Sequence, residues 1–242
     1  TVHRELRNKC VTLQLLWEEY CERNPGGFYS YNHYCRMYRE WLKTTSPSMR
    51  QVHKAGEKLF VDYCGPTVGV TDPETGEIRT AQVIVAVLGA SSYTWAEATW
   101  SQQLEDWVMS HVRCFQWLGG VPELVVPDNL KSATSRACKY DPDVNPTYQQ
   151  MLEHYNVAVL PARPRKPKDK AKAEVGVQVV ERWIMARIRH EIFYSLASLN
   201  QRIRELLERL NNKIMQKLGY SRAELFIQLD KPALKPLPEA SY

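Results

Sequence analysis

The stretch Glu57-Lys-Leu-Phe-Val-Asp-Tyr-Cys-Gly65 constrains the fold more than any other part of this chain. Leu59, Phe60, Val61, Tyr63 and Cys64 have the apolar and aromatic composition of a strand inside a sheet. Asp62 interrupts that run. A carboxylate there loses hydration and must be paired, metal-bound or protonated. Taken alone, an Asp close to Gly65-Pro66 reads as a strand-end or turn residue. Further acids in equally telling places make it a site candidate.

The 242 residues suffice for one large domain with a small appendage. Hydrophobic and charged contents of 44% and 24% are those of a globular protein. No apolar run approaches the length of a membrane span, and no signal-peptide pattern is visible. The chain starts at Thr1 rather than Met, so a piece of a longer protein is expected. Cys10, Cys21, Cys35, Cys64, Cys114 and Cys138 lie far apart without a C-x-x-C pair. They read as scattered reduced thiols of a cytoplasmic protein, and a zinc site using His33 and Cys35 is poorly spaced. The net charge of +5 sits in one segment: Arg163, Arg165, Lys166, Lys168, Lys170 and Lys172 face only Asp169 within residues 163–172.

Along the chain, residues 11–23 and 30–43 read as two amphipathic helices around Asn24-Pro25-Gly26-Gly27. They suit either a helix-turn-helix, with Asn32, Arg36 and Arg39 toward DNA, or a simple packed pair. Residues 1–45 form this segment, 46–56 a linker, 57–228 the main domain, and 229–242 a Pro-rich linker to a further domain. After the Asp62 strand, Thr71–Glu77 signals a hairpin and Ala81–Leu88 a buried strand, with Tyr93–Ala98 completing an antiparallel meander. Ser101 is expected to cap a helix that Gly119-Gly120 stops, with His111 a satisfied core residue on its buried face. Leu124–Pro127 is a short buried strand ending at Asp128, and 130–144 reads as loop. Asn145-Pro146 opens a helix, Val157–Leu160 forms a strand, and Ala173, Val177, Val180, Ile184 and Ile188 stripe the next helix. Glu174 sits at the margin of that stripe. Ser198-x-x-Gln201 reads as the capping box of a last helix.

This order describes an α/β domain, a mixed sheet flanked by helices. Ligands of such sheets collect at the carboxyl ends of strands, where Asp128 lies, with Asp62 and Glu174 positioned to meet it. Three converging acids repel one another. Mg²⁺, which takes a few carboxylates plus water and phosphate oxygens, resolves that repulsion. Two such ions about 4 Å apart can hold the attacking and leaving oxygens of a phosphoryl transfer. The adjoining basic segment would bring a polyanion to them.

Phe60-Val-Asp62-Tyr, Val-Pro-Asp128-Asn129 and Lys172-Ala-Glu174-Val resemble the DDE transposase and retroviral integrase superfamily. The run from Leu160 through Glu174 to Trp183 resembles, more narrowly, the IstA-type transposases of bacterial insertion sequences. The resemblance implies a ribonuclease-H-like catalytic core with Asp62, Asp128 and Glu174 as catalytic and metal-binding residues. It also implies two Mg²⁺ ions (Mn²⁺ as substitute), DNA as substrate, an AAA+ helper ATPase, a homo-oligomer on DNA and a bacterial, nucleoid-associated location. One departure is Glu181, which stands where many relatives carry a basic residue two helical turns after the catalytic Glu. Two other readings stay open: a ribonuclease-H-like nuclease that only hydrolyses, and a non-catalytic DNA-binding module.

Overall fold

The polypeptide divides into two units, Thr1–Gln51 and Val52–Tyr242. The computed structural model describes residues 2–6, 8, 11–45, 52–127, 134–136, 143–160 and 167–242. In the first unit a short turn of helix, α1 (Val2–Glu5), precedes α2 (Leu13–Arg23) and α3 (Tyr31–Thr45). Thr12 caps α2 by accepting from Leu15 N–H at 3.1 Å. The two longer helices meet through the buried Leu16 and Cys35, with Tyr20 stacked on Tyr34 and Trp17 edge-on to Tyr31. Trp17 Nε1–H also donates to Tyr29 O at 2.8 Å, tying the connecting turn to α2.

In the second unit, β1 (Lys58–Tyr63) is flanked on one side by antiparallel β3 (Ile78–Leu88) and on the other by parallel β5 (Leu124–Pro127). β2 (Val68–Thr71) and β1 pair successive stretches of β3, and β4 (Thr94–Thr99) pairs β3 antiparallel. The hairpin at Thr71–Glu77 forms as read, with Asp72 Oδ1 accepting from Glu74 and Thr75 N–H. A short two-stranded ladder, β6 (Thr134–Arg136) with β7 (Asp143–Val144), falls within the segment read as loop. β8 (Ala158–Val159) extends the main sheet by pairing parallel to β5.

Two helical layers cover this sheet, because each strand alternates its side chains between two apolar faces. Leu59, Val61 and Tyr63 pack with Ile84, Ala86 and Leu88 against α4 (Leu104–Leu118) and α5 (Pro146–His154). His111 lies in this layer, donating from Nδ1 to Trp107 O at 2.8 Å while Nε2 meets Tyr148 Oη at 3.1 Å. Burial lowers its pKa to about 4, so it is the neutral core residue expected from its position. On the other face, Cys64, Val83, Val85 and Val87 pack against α6 (Pro167–Val180), a π-helical turn at Glu181–Met185, α7 (Ala186–Ile188) and α8 (Leu196–Asn212).

Several boundaries differ from the sequence reading. α4 begins at Leu104, because Ser101 Oγ donates to Asp106 Oδ2 at 2.5 Å instead of capping. α8 begins three residues before the proposed box, with Ser195 as the capping side chain. A further short helix, α9 (Arg222–Leu225), carries the capping box that Ser221 and Glu224 form. Residues after 229, read as a linker, belong to the core: Val121 and Lys235 exchange backbone bonds at 2.9 Å, and Leu234 and Leu237 pack on the α4 layer. Among the described residues, no helix is long and apolar enough to cross a membrane.

Candidate active site

Period-two alternation in β1 places Phe60, Asp62 and Cys64 on the face that α6 covers. Asp62 is partly exposed there, opposite Val85 in the β3 register. Its Oδ1 accepts from Tyr63 N–H at 2.8 Å, which orients the carboxylate. β5 runs beside β1 with Pro127 opposite Val61 and ends at that residue. Asp128 lies outside the described residues.

The position of Glu174 follows from how α6 seats on the sheet. Ala173 is buried against Phe60 of β1 and Val126 of β5. Three residues on, a Cβ added to Gly176 would stand 2.3 Å from Val87 Cγ2, so only glycine permits this approach of helix to sheet. Glu174 therefore emerges, exposed, immediately beside the point where α6 touches β1. Spacings of four and three place Glu174, Gln178 and Glu181 on one helix stripe. At the far end of that stripe Glu181 Oε1 accepts from Gly65 N–H at 3.2 Å. The stripe thus points toward the end of β1, where Asp62 stands three residues before Gly65.

The electrostatics agree with this placement. The Cys64 thiol is pushed up to about 12, mainly by burial and then by the negative charges of Glu181 and Asp62. Both carboxylates act on the same buried sulfur. A cleft of about 540 Å³ adjoins the region, bounded by Thr67, Val68, Ile78, Met185, Arg189 and Glu181 among others. Among the described residues, no three His, Cys, Asp or Glu side chains group as metal ligands. In the first unit His33 Nδ1 pairs with Arg36 Nη2 at 3.0 Å.

Of the basic residues, Arg163, Arg165 and Lys166 lie outside the described residues. Lys168 and Lys170 fall in the first turns of α6 with their side chains not described. Lys172 departs from the expected role of phosphate contact: it is half-buried, and its Nζ donates to Ser92 Oγ at 2.7 Å. Asn32, Arg36 and Arg39 are all exposed along one side of α3. Sequence reasoning missed the Glu181 tether to Gly65, although counting seven residues on from Glu174 points at it.

A mixed sheet between two helical layers, with one acid on the central strand and another on the helix crossing it, is the ribonuclease-H-like arrangement. Residues 52–167 of the chain match the integrase core domain model, in keeping with its resemblance to the DDE transposases and retroviral integrases. The chain is 53% identical over 242 residues to the putative transposase for insertion sequence IS408 of Burkholderia multivorans, covering 100% of this chain and 47% of that protein. It is 52% identical over 243 residues to the putative transposase for insertion sequence IS1162 of Pseudomonas fluorescens, covering 100% and 43%. It thus spans about half the length of the curated relatives it matches. The fold is shared with the catalytic core domain of HTLV-2 integrase, solved in complex with magnesium, at a TM-score of 0.52 and 11% identity over 73% of this chain and 99% of that one. It is shared too with a chain of the simian T-cell lymphotropic virus intasome in complex with the PP2A regulatory subunit B56 gamma (TM-score 0.56, 14% identity, 79% and 61% covered).

Proposed function

We propose that this chain is the catalytic core of an insertion-sequence DNA transposase of the IstA type. It cleaves the 3′ ends of its element and joins them to target DNA by phosphoryl transfer. The observation that carries the reading is the seating of α6. Ala173 on Phe60 and Gly176 on Val87 bring Glu174 to the sheet face that Asp62 occupies. Asp62, Asp128 and Glu174 would hold divalent metal. Carboxylate oxygens suit a hard cation such as Mg²⁺, and the Tyr63 N–H already fixes the Asp62 carboxylate. When bound, two such ions supply charge neutralisation at the attacking and leaving oxygens.

The protein's own side chains supply placement. Glu181 ties the end of β1 to α6 through Gly65, keeping Asp62 and Glu174 in a fixed relation. Arg163, Arg165, Lys166, Lys168 and Lys170 precede Glu174 in sequence and would draw the DNA backbone toward it. Asn32, Arg36 and Arg39, exposed on α3, are the counterpart in the N-terminal unit. By the same reading the full-length protein assembles as a homo-oligomer on DNA and works with an AAA+ helper ATPase.

The test uses the full-length transposase with its helper and paired oligonucleotides carrying element ends. Asp128→Asn and Glu174→Gln each preserve shape and remove a ligand charge. Joining should fall by at least about a hundred-fold while DNA binding persists. Near-normal joining by either variant overturns its assignment. Strand cleavage without joined products from the wild-type protein would identify a hydrolysing nuclease instead.

A further inference from the structure

The basic segment ends at a lysine that the fold has put to another use. Lys172 Nζ donates to Ser92 Oγ at 2.7 Å, across 80 residues of sequence. Ser92 lies in the β3–β4 turn with a left-handed backbone (φ 60°), held by its own N–H on Leu88 O. Beside it Ser91, fully buried, donates its N–H to Asp230 Oδ2 at 2.9 Å, and Gly56 N–H donates to the other oxygen at 2.8 Å. Asp230 is itself 1% exposed. A buried carboxylate needs a positive neighbour as well as hydrogen bonds. The charges acting on the Lys172 ammonium are Asp230, which attracts it, and Arg222, which repels it. His53, packed edge-on against Phe60, completes the same corner and feels the Lys172 charge.

This corner joins four separate pieces of chain: the entry to β1 at Gly56, the β3–β4 turn, the turn after α9, and α6. Lys172 is the α6 member, one residue before the Ala173 contact on the sheet and two before Glu174. A half-buried ammonium already donating to a hydroxyl is badly placed to neutralise a phosphate. It is well placed to fix the helix.

We propose that Lys172 is a positioning residue, pinning α6 to the β3–β4 turn through Ser92 and Asp230 so that Glu174 is held over the Asp62 face, and not a DNA-phosphate ligand. The proposal rests on the transposase reading for the role of Glu174, but its structural part is independent of it.

The experiment compares Lys172→Met, Ser92→Ala and the double variant in the full-length protein, with Arg165→Ala/Lys166→Ala/Lys168→Ala as the phosphate-contact control. Three readouts are taken: the salt dependence of duplex binding, amide exchange along residues 173–180, and the joining rate at saturating DNA. Both single variants should speed exchange along α6 and slow joining by roughly 2- to 10-fold, the equivalent of one net hydrogen bond. The slope of log affinity against log salt should stay at the wild-type value. The double variant should fall no further than the more severe single, since both remove one interaction. Because Lys172→Met also leaves Asp230 without its cation, Ser92→Ala keeps the test alive if the lysine variant folds poorly. The proposal is overturned if Lys172→Met flattens the salt slope by about 0.9, as loss of a phosphate contact would. It is also overturned if Ser92→Ala leaves exchange along α6 unchanged. A wild-type protein that joins no DNA would overturn the transposase reading alone, with exchange and salt slope still deciding the role of Lys172.

Discussion

Gly176 of α6 lies so near Val87 of β3 that a Cβ on the glycine would stand 2.3 Å from Val87 Cγ2. The neighbour is a β-branched side chain in a central strand, stiff at χ1 and without room to turn. Gly176→Ala therefore pushes α6 off the sheet and carries Glu174 with it. Alanine is the better helix former by about 1 kcal/mol. Overpacking of this kind costs about 1–3 kcal/mol, so the balance should fall on destabilisation. Joining should drop further than stability alone explains. Adding Val87→Ala should restore part of both, and a Gly176→Ala protein with wild-type unfolding midpoint and joining rate would contradict the seating described.

The acids can be tested without DNA. Asp62 and Glu181 both act on Cys64, so this end of β1 concentrates negative charge. With a millimolar Kd, 10 mM Mg²⁺ should stabilise the wild-type fold by about 1.4 kcal/mol, a shift of roughly 3–5 °C for a chain of this size. Asp62→Asn removes one ligand charge while keeping the acceptor for Tyr63 N–H. It should melt no lower than wild type in EDTA and lose most of the Mg²⁺ gain. A lower melting point in EDTA with an intact Mg²⁺ response is the pattern of a purely structural Asp, and would remove Asp62 from the site.

What could be read from the sequence was what local chemistry encodes. The α6 stripe, the Gly119 left-handed stop and the Asn145-Pro146 start all formed where spacing and backbone preference placed them. The α/β class followed from strands and helices that each declare themselves within ten or so residues. Ser101 and Ser198 failed as caps because each hydroxyl donates to a different neighbour close in sequence. Ser101 Oγ donates to Asp106, and Ser198 Oγ donates to Ser195 O while the Ser195 side chain caps α8. The tail misled because prolines read as linker while Leu234 and Leu237 bury against elements more than a hundred residues away.

The site was legible as residue types and not as contacts. Asp62 and Glu174 are candidates by residue type alone, whereas Glu181 on Gly65 and Lys172 on Ser92 span 116 and 80 residues. No periodicity predicts such pairs. They exist only because a glycine lets α6 settle onto β3.

The outer side of β4 yields a third prediction. Among the described residues β4 pairs only with β3, yet its outward groups at Thr94 and Ala98 are not left open. Asn200 accepts from Ala98 N–H at 2.6 Å and donates to Ala98 O at 2.9 Å. Asn211 does the same for Thr94, at 3.1 and 2.7 Å. Eleven residues of helix rise about 16 Å and four of strand about 13 Å, so one face of α8 can serve both positions. An unpaired edge invites pairing with another chain. Asn200→Ala and Asn211→Ala should each destabilise by about 1–3 kcal/mol, and the double variant should self-associate as concentration rises. Light scattering and denaturant midpoints would decide it. A double variant that stays monomeric and equally stable would show that the amides do not protect the edge.

The pH response should be dominated, near neutrality, by His111. In the fold its ring sits among Trp107, Phe115 and Tyr148, and burial holds its pKa near 4. In the unfolded chain it titrates near 6.5. The folded pKa is the lower one, so acid favours the unfolded state, which binds the proton first. The stability this residue confers is complete above about pH 6.5 and is lost as pH falls toward 4, at up to about 1.4 kcal/mol per unit. His111→Gln keeps a hydrogen-bonding side chain that cannot ionise. It should be less stable than wild type at pH 7, where packing is disturbed, but lose stability more slowly on acidification. Carboxylates elsewhere contribute equally to both proteins and cancel in the comparison. Urea unfolding at pH 6.5, 5.5 and 4.5 measures the difference directly: the gap between the two proteins should narrow by roughly 1 kcal/mol for each unit. A constant gap would mean that His111 is protonated in the folded protein well above pH 4 and that the Trp107 and Tyr148 pairing does not hold it neutral.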